Sequence, residues 1–225
     1  MSEENNTVVI LVGGGHAAGK KTVCERIKSN FLENLNANIE IEIFDLDVYI
    51  KDQPEIPYGP TRFDCSKLLN EIELFEKKSD IKKLILVPGL YSLYDRRLRN
   101  IASMKLFIDC DADTRLTRWI TAETLNGETK LEDLLDNYVN RARPEFNEFI
   151  QPTKEFADVI LPNDEEINGI SLICDGIQPL FNQSSLSKSG KTLYPRFGFD
   201  SESSSTLNLQ AEAFNGQKDR FYDLT

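Results

Sequence analysis

Residues 7 to 32 read TVVILVGGGHAAGKKTVCERIKSNFL. Thr7 to Val12 is an unbroken apolar, β-branched run that stops at three glycines, the pattern of a parallel strand buried on both faces. Beyond the glycines, Val23, Ile27 and Phe31 recur at every fourth position, which gives a helix through Lys21 to Leu32 one apolar stripe. Between strand and helix, Gly14 to Lys20 has the spacing G-x-x-x-x-G-K. Glycine lets the backbone curl so that successive N–H groups face phosphate oxygens, the helix N-terminus adds partial positive charge, and the lysine neutralises the outer phosphates. The spacing predicts a nucleotide-phosphate site built from Gly14, Gly15, His16, Ala17, Ala18, Gly19, Lys20, Lys21 and Thr22. His16, the one histidine in the chain, is expected to face solvent from this loop.

The motif follows its lysine with Ser or Thr, whose hydroxyl binds Mg²⁺. Here Lys21 stands in that place, and an ammonium cannot coordinate a cation. Thr22 remains as a candidate metal ligand, but one residue along a helix turns by about 100°.

Working outward, the alternation continues. Ile39 to Phe44, Leu84 to Val87, Met104 to Ile108 and Ala157 to Leu161 read as further strands. Ser66 to Lys77, Ala112 to Glu123, Leu131 to Arg143 and Ile167 to Phe181 read as helices. Five strands separated by helices predict an α/β fold of the P-loop NTPase type, three layers deep with a five-stranded, mainly parallel sheet. The polar segment TLNGETK, about residues 124 to 130, is a candidate lid. From residue 183 the texture changes to a serine-rich stretch without helical or strand periodicity, so residues 1 to 182 are expected to form the domain and 183 to 225 a disordered tail.

Composition narrows the function. At 225 residues, with 40% hydrophobic and 28% charged residues, the chain can bury one α/β core. Its net charge of −11 disfavours nucleic-acid binding, which demands a basic face. Cys24, Cys65, Cys110 and Cys174 are far apart with no C-x-x-C pair, so neither a zinc site nor a disulfide framework is indicated. The acidic start MSEENN lacks the basic region of a signal peptide, and no apolar run approaches a membrane span. A cytoplasmic location, or cytoplasm and nucleus together, is expected.

Two longer segments, KLFIDCDADTRLTR (105 to 118) and RPEFNEFIQPTKEFADVILP (143 to 162), together with the loop and FDLDVYIKD (44 to 52), resemble the uridine/cytidine kinases over roughly residues 7 to 181. The resemblance implies transfer of the γ-phosphoryl group of ATP or GTP to the 5′-hydroxyl of uridine or cytidine, with Mg²⁺, in pyrimidine salvage. It implies Asp47 as the catalytic carboxylate, Lys20 as the group that stabilises migrating charge, and Thr61, Tyr94, Arg99, Asn137 and Arg143 around the nucleoside. Homo-oligomers are also implied; the expected partners are a small-molecule nucleoside and nucleotide.

The chain departs from that family pattern in several places. Thr61 falls where an aspartate holds the ribose hydroxyls, and a hydroxyl accepts more weakly than a carboxylate. Pro88 occupies an acidic position, Asn137 replaces a glutamine, and Ala122, Gly127 and Thr129 stand at lid arginine positions, with Arg115, Arg118, Arg141 and Arg143 nearby. The alternative is therefore a catalytically impaired relative that binds nucleotide and acts as a regulatory partner. Asp45 is expected to cap a turn, and Asp109, Asp111 and Asp113 to mark a helix entry.

Overall fold

In the computed structural model, which describes residues 7–34, 39–51, 59–78, 81–126, 130–162 and 167–182, strand β1 (Thr7–Gly14) lies at the centre of a five-stranded sheet. The other strands are β2 (Ile39–Ile43), β3 (Lys82–Pro88), β4 (Met104–Ile108) and β5 (Val159–Leu161). Their order is β2-β3-β1-β4-β5, and every pairing is parallel. This is the α/β fold of the P-loop NTPase type that the sequence predicts, with the sheet wholly parallel among the described residues.

Side chains of β1 divide the core in two. Val8, Ile10 and Val12 enter a cluster with Val23, Ile27 and Phe31 of α1 (Lys20–Asn34) and with Ile170, Ile173 and Ile177 of α7 (Ile167–Ile177). Val9 and Leu11 point to the opposite cluster, with Leu68 and Ile72 of α2 (Cys65–Lys77) and Leu98 of α3 (Arg96–Ile101). Helices on both faces explain why β1 is apolar at every position rather than at alternate ones. All four cysteines are buried thiols.

Helix α4 (Ala112–Asn126) takes in residues 124 to 126 of the expected lid; lid residues 127–129, and the tail at 183–225, lie outside the described residues. Helix α5 (Leu131–Asn137) does not end at Arg143 as the periodicity predicts. The helical path continues through a π turn at Tyr138–Ala142, three residues of α6 (Arg143–Glu145) and a second π turn at Phe146–Ile150. Pro144 supplies the reason. It has no N–H to donate and its ring crowds the carbonyl one turn back, so the backbone widens ahead of it, with Arg143 N–H donating to the Tyr138 carbonyl; Gln151, whose N–H donates to the Phe146 carbonyl, precedes Pro152 in the same way.

The ends of β1, β2 and β3 converge on one edge of the sheet. There Gly89 N–H donates to the Val12 carbonyl at 3.1 Å, and a Cβ at Gly89 would lie 2.5 Å from the Cβ of Leu46. The Gly89→Ala variant is expected to lose about 1–3 kcal/mol of stability through overpacking, read as a lower denaturant midpoint with an unchanged slope.

Candidate active site

The loop after β1 is shaped by backbone conformations that suit few residues. Gly14 and Gly19 have φ of 141° and 88°, and Ala17 has a φ of 54°, a left-handed conformation that costs a residue with a β-carbon about 1–2 kcal/mol. Such strain concentrates where a ligand needs the backbone's N–H groups. Gly15 answers a different demand: a Cβ there would lie 2.3 Å from the Arg115 guanidinium. Arg115 is buried, donates from Nε to the Cys110 carbonyl at 3.0 Å, and stacks its guanidinium 3.9 Å from the Phe146 ring centroid. A fixed cation therefore lies beside the loop.

Lys20 is only 8% exposed, and its Nζ folds back to donate to the Gly15 carbonyl at 2.7 Å. Burial pulls the ammonium down from 10.5 to about 8, with Asp47 opposing and Arg115 assisting. Phosphate binding needs the charged form, so affinity for a triphosphate should be flat below about pH 7 and weaken as pH rises through 8. The limit is tenfold per pH unit for one linked proton. Titration calorimetry with ATP between pH 6.5 and 9.5 checks this, and Lys20→Arg should abolish the weakening.

Asp47 sits in a short 3₁₀ turn, Leu46–Tyr49, that follows β2. Asp45 caps the turn, its Oδ1 accepting from Asp47 N–H at 3.0 Å, while its Oδ2 lies 2.5 Å from the Lys21 ammonium. Burial raises the Asp47 carboxyl above its ordinary range and Lys20 opposes that rise. The Oδ1 of Asp47 is buried and accepts no hydrogen bond. An orphan carboxylate oxygen is costly, and here it stands beside the phosphate loop, where an acceptor hydroxyl can satisfy it.

His16 differs from the solvent-facing expectation. Its ring stacks on Trp119, with centroids 5.1 Å apart and planes 14° from parallel, and its Nε2 lies 3.2 Å from Glu145 Oε2. The other oxygen of Glu145 accepts from the Tyr91 hydroxyl. Burial pushes the Glu145 carboxyl up, but the hydrogen bonds from His16 and Tyr91 prevail and hold it below its ordinary range. Sequence reasoning missed Glu145, which looks like one more helix-surface carboxylate; its flanking aromatics, Phe146 and Phe149, were the only local signal.

A cleft of about 510 Å³ opens beside Tyr91, lined among others by Lys51, Thr61, Phe63, Tyr94 and Asp95. Of the nucleoside-site residues the resemblance implied, Thr61 and Tyr94 thus meet in one cleft. Arg99 is engaged elsewhere: it donates to the Leu93 and Tyr94 carbonyls at 2.6 Å each and stacks 4.0 Å from the Phe156 ring centroid. Asn137 keeps a buried Oδ1 with no hydrogen-bond partner, and Arg143 is exposed at the start of α6. In the acidic trio, Asp109 pairs with Lys154 at 2.7 Å, and Asp113 lies in the first turn of α4.

A divalent cation held by the protein needs oxygen ligands. The residue after Lys20 offers an ammonium, Thr22 is exposed, Pro88 brings no side-chain donor, and both oxygens of Asp45 are engaged. Among the described residues no group of three His, Cys, Asp or Glu side chains is placed to hold a metal. The unpartnered Asp47 oxygen and the exposed Thr22 hydroxyl are the oxygens left to a Mg²⁺ here, while the motif's own metal position holds an ammonium in place of an oxygen ligand. No helix among the described residues is long and apolar enough to cross a membrane.

The chain is similar in sequence to known proteins. The family described as phosphoribulokinase / uridine kinase matches residues 66–168. A Saccharomyces cerevisiae protein described as "Putative uridine kinase DAS2" is 30% identical over 239 residues, covering 99% of this chain and 97% of its own length. The uridine kinase of Anoxybacillus flavithermus is 31% identical, over 80% of this chain and 97% of its own. Uridine kinase-like protein 3 of Arabidopsis thaliana is 30% identical, over 85% of this chain and 47% of its own.

Proposed function

Since the chain belongs to the phosphoribulokinase / uridine kinase family, we propose that it is a nucleoside kinase, passing the γ-phosphoryl group of ATP or GTP to the 5′-hydroxyl of uridine or cytidine. The observation that carries this reading is the buried, unpartnered Oδ1 of Asp47 beside Lys20 at the mouth of the phosphate loop.

In this reading the loop's N–H groups, Lys20 and Arg115 hold the triphosphate by charge-assisted hydrogen bonds. The nucleoside lies in the cleft beside Tyr91 and Tyr94, with Thr61 at its rim. Asp47 accepts the proton of the 5′-hydroxyl as the new O–P bond forms, and the bond to the β–γ bridging oxygen breaks to release the nucleoside diphosphate. Lys20 stays with the migrating charge. The raised affinity of Asp47 for a proton suits that role, because a general base works best when its pKa approaches the working pH.

A second reading, a relative that binds nucleotide without turnover, is favoured by the ion pair of Lys21 with Asp45, which fills the position of the motif's metal ligand. The two readings part on one measurement. Purified full-length chain is incubated with Mg·ATP and each nucleoside, and nucleoside monophosphate is followed beside Lys20→Ala and Asp47→Ala controls. The kinase reading expects product well above both controls; equal traces in all three would reject it, and ATP binding without product would leave the second reading standing.

A further inference from the structure

Consecutive lysines open α1, and the structure gives them different tasks. Lys20 is buried and turns inward to the Gly15 carbonyl, whereas Lys21 reaches across to the end of β2, where its Nζ lies 2.5 Å from Asp45 Oδ2. Asp45 is itself fixed by the hydrogen bond its Oδ1 accepts from Asp47 N–H at 3.0 Å. The Lys21 ammonium is thereby pinned beside the loop, next to the turn that carries Asp47, at the sequence position from which the motif directs a hydroxyl to a metal.

Most exposed ion pairs matter little for stability, but this one fixes where an ammonium stands at the loop. Beside Lys20 stand two further cations, Lys21 and Arg115, and two carboxylates, Asp45 and Asp47, while a third carboxylate, Glu145, lies against His16 of the same loop. A triphosphate that reaches Lys20 meets, in the Lys21 ammonium next to it in sequence, a second cation that the protein already supplies. A divalent cation entering with it meets an ammonium at the place where it would seek oxygen, and Asp45 has no oxygen left to give. The hydrogen bond to Asp45 also raises the Lys21 ammonium above its ordinary range, so its charge persists throughout the pH range in which Lys20 loses its own.

We propose that Lys21, held by Asp45, takes the place of the divalent cation at the phosphate loop, so that the chain binds a nucleoside triphosphate free of metal at least as tightly as its magnesium complex. The proposal rests on the reading of Gly13 to Thr22 as a triphosphate site.

The experiment is titration of the full-length chain with ATP at pH 7, once in EDTA and once in excess Mg²⁺, for the wild type and for Lys21→Ser. Wild type is expected to bind in EDTA with a Kd equal to or up to severalfold lower than in Mg²⁺. Lys21→Ser is expected to bind ATP at least fivefold more weakly in EDTA and to recover that loss when Mg²⁺ is added, while its thermal unfolding stays cooperative. Wild-type binding tenfold tighter with Mg²⁺ than in EDTA would overturn the proposal and leave the triphosphate site intact. An unchanged metal ratio in Lys21→Ser would overturn the part given to Lys21. Failure to bind ATP in either buffer would overturn both this proposal and the triphosphate reading beneath it.

Discussion

With asparagine in place of Asp47, turnover is expected to fall by about 10²–10⁴-fold, the range that general-base catalysis contributes, while ATP binding at pH 6.5 stays within about threefold of the wild type or tightens. The two quantities separate because, in the proposed reading, Asp47 faces the acceptor rather than the triphosphate. Asparagine keeps the shape and one carbonyl oxygen at the buried, unpartnered position but takes no proton. Removing this carboxylate also removes the charge that opposes the fall of Lys20, so the pH at which ATP binding weakens should move below that of the wild type. Steady-state kinetics with uridine, beside calorimetric titration of ATP across pH, checks both halves. A loss of ATP binding as large as the loss of turnover would place Asp47 in the triphosphate site instead.

Replacing Lys20 with alanine is expected to weaken ATP binding by about 10–150-fold, since a hydrogen bond to a charged group contributes roughly 1.5–3 kcal/mol. Stability should move the other way. A lysine whose folded pKa, about 8, lies below its usual 10.5 is charged at neutral pH at a cost to the fold. That cost is fully present below about pH 8 and is relieved as pH rises from 8 towards 10.5. Alanine has no charge to bury, so at pH 7 the variant should melt no lower than the wild type, and its advantage should shrink at alkaline pH. A variant that both loses ATP and melts well below the wild type would mean that Lys20 holds the loop together through its bond to the Gly15 carbonyl.

The parts of this structure that were legible in the sequence are those fixed by neighbours along the chain. The run TVVILV and the fourfold spacing of Val23, Ile27 and Phe31 are local signals, and β1 and α1 appear where those signals lie. Strand order was not legible, because pairing β1 with both β3 and β4 depends on which hydrophobic faces the helices cover. Nor were the π turns around Pro144, since a periodicity of 3.6 has no term for an inserted residue. In the site, spacing alone pointed to the loop, whereas Asp47, Thr61 and Tyr94 came from resemblance to a family. His16 and Glu145 lie 129 positions apart. Their contact exists only once the sheet is assembled, which is why a loop histidine read as solvated turned out stacked on Trp119.

Glu145 has one oxygen on His16 of the glycine-rich loop and the other on Tyr91 of the cleft that Thr61 and Tyr94 also line. In the proposed reading one carboxylate is thus common ground for two ligands. A nucleotide that draws His16 towards its phosphates and a nucleoside that draws on the Tyr91 hydroxyl compete for, or reinforce, the same pair of lone-pair directions. By linkage, whatever factor the first ligand imposes on the affinity of the second must be returned in full by the second to the first. The order in which the two are added can then alter the path to the ternary complex but not its free energy.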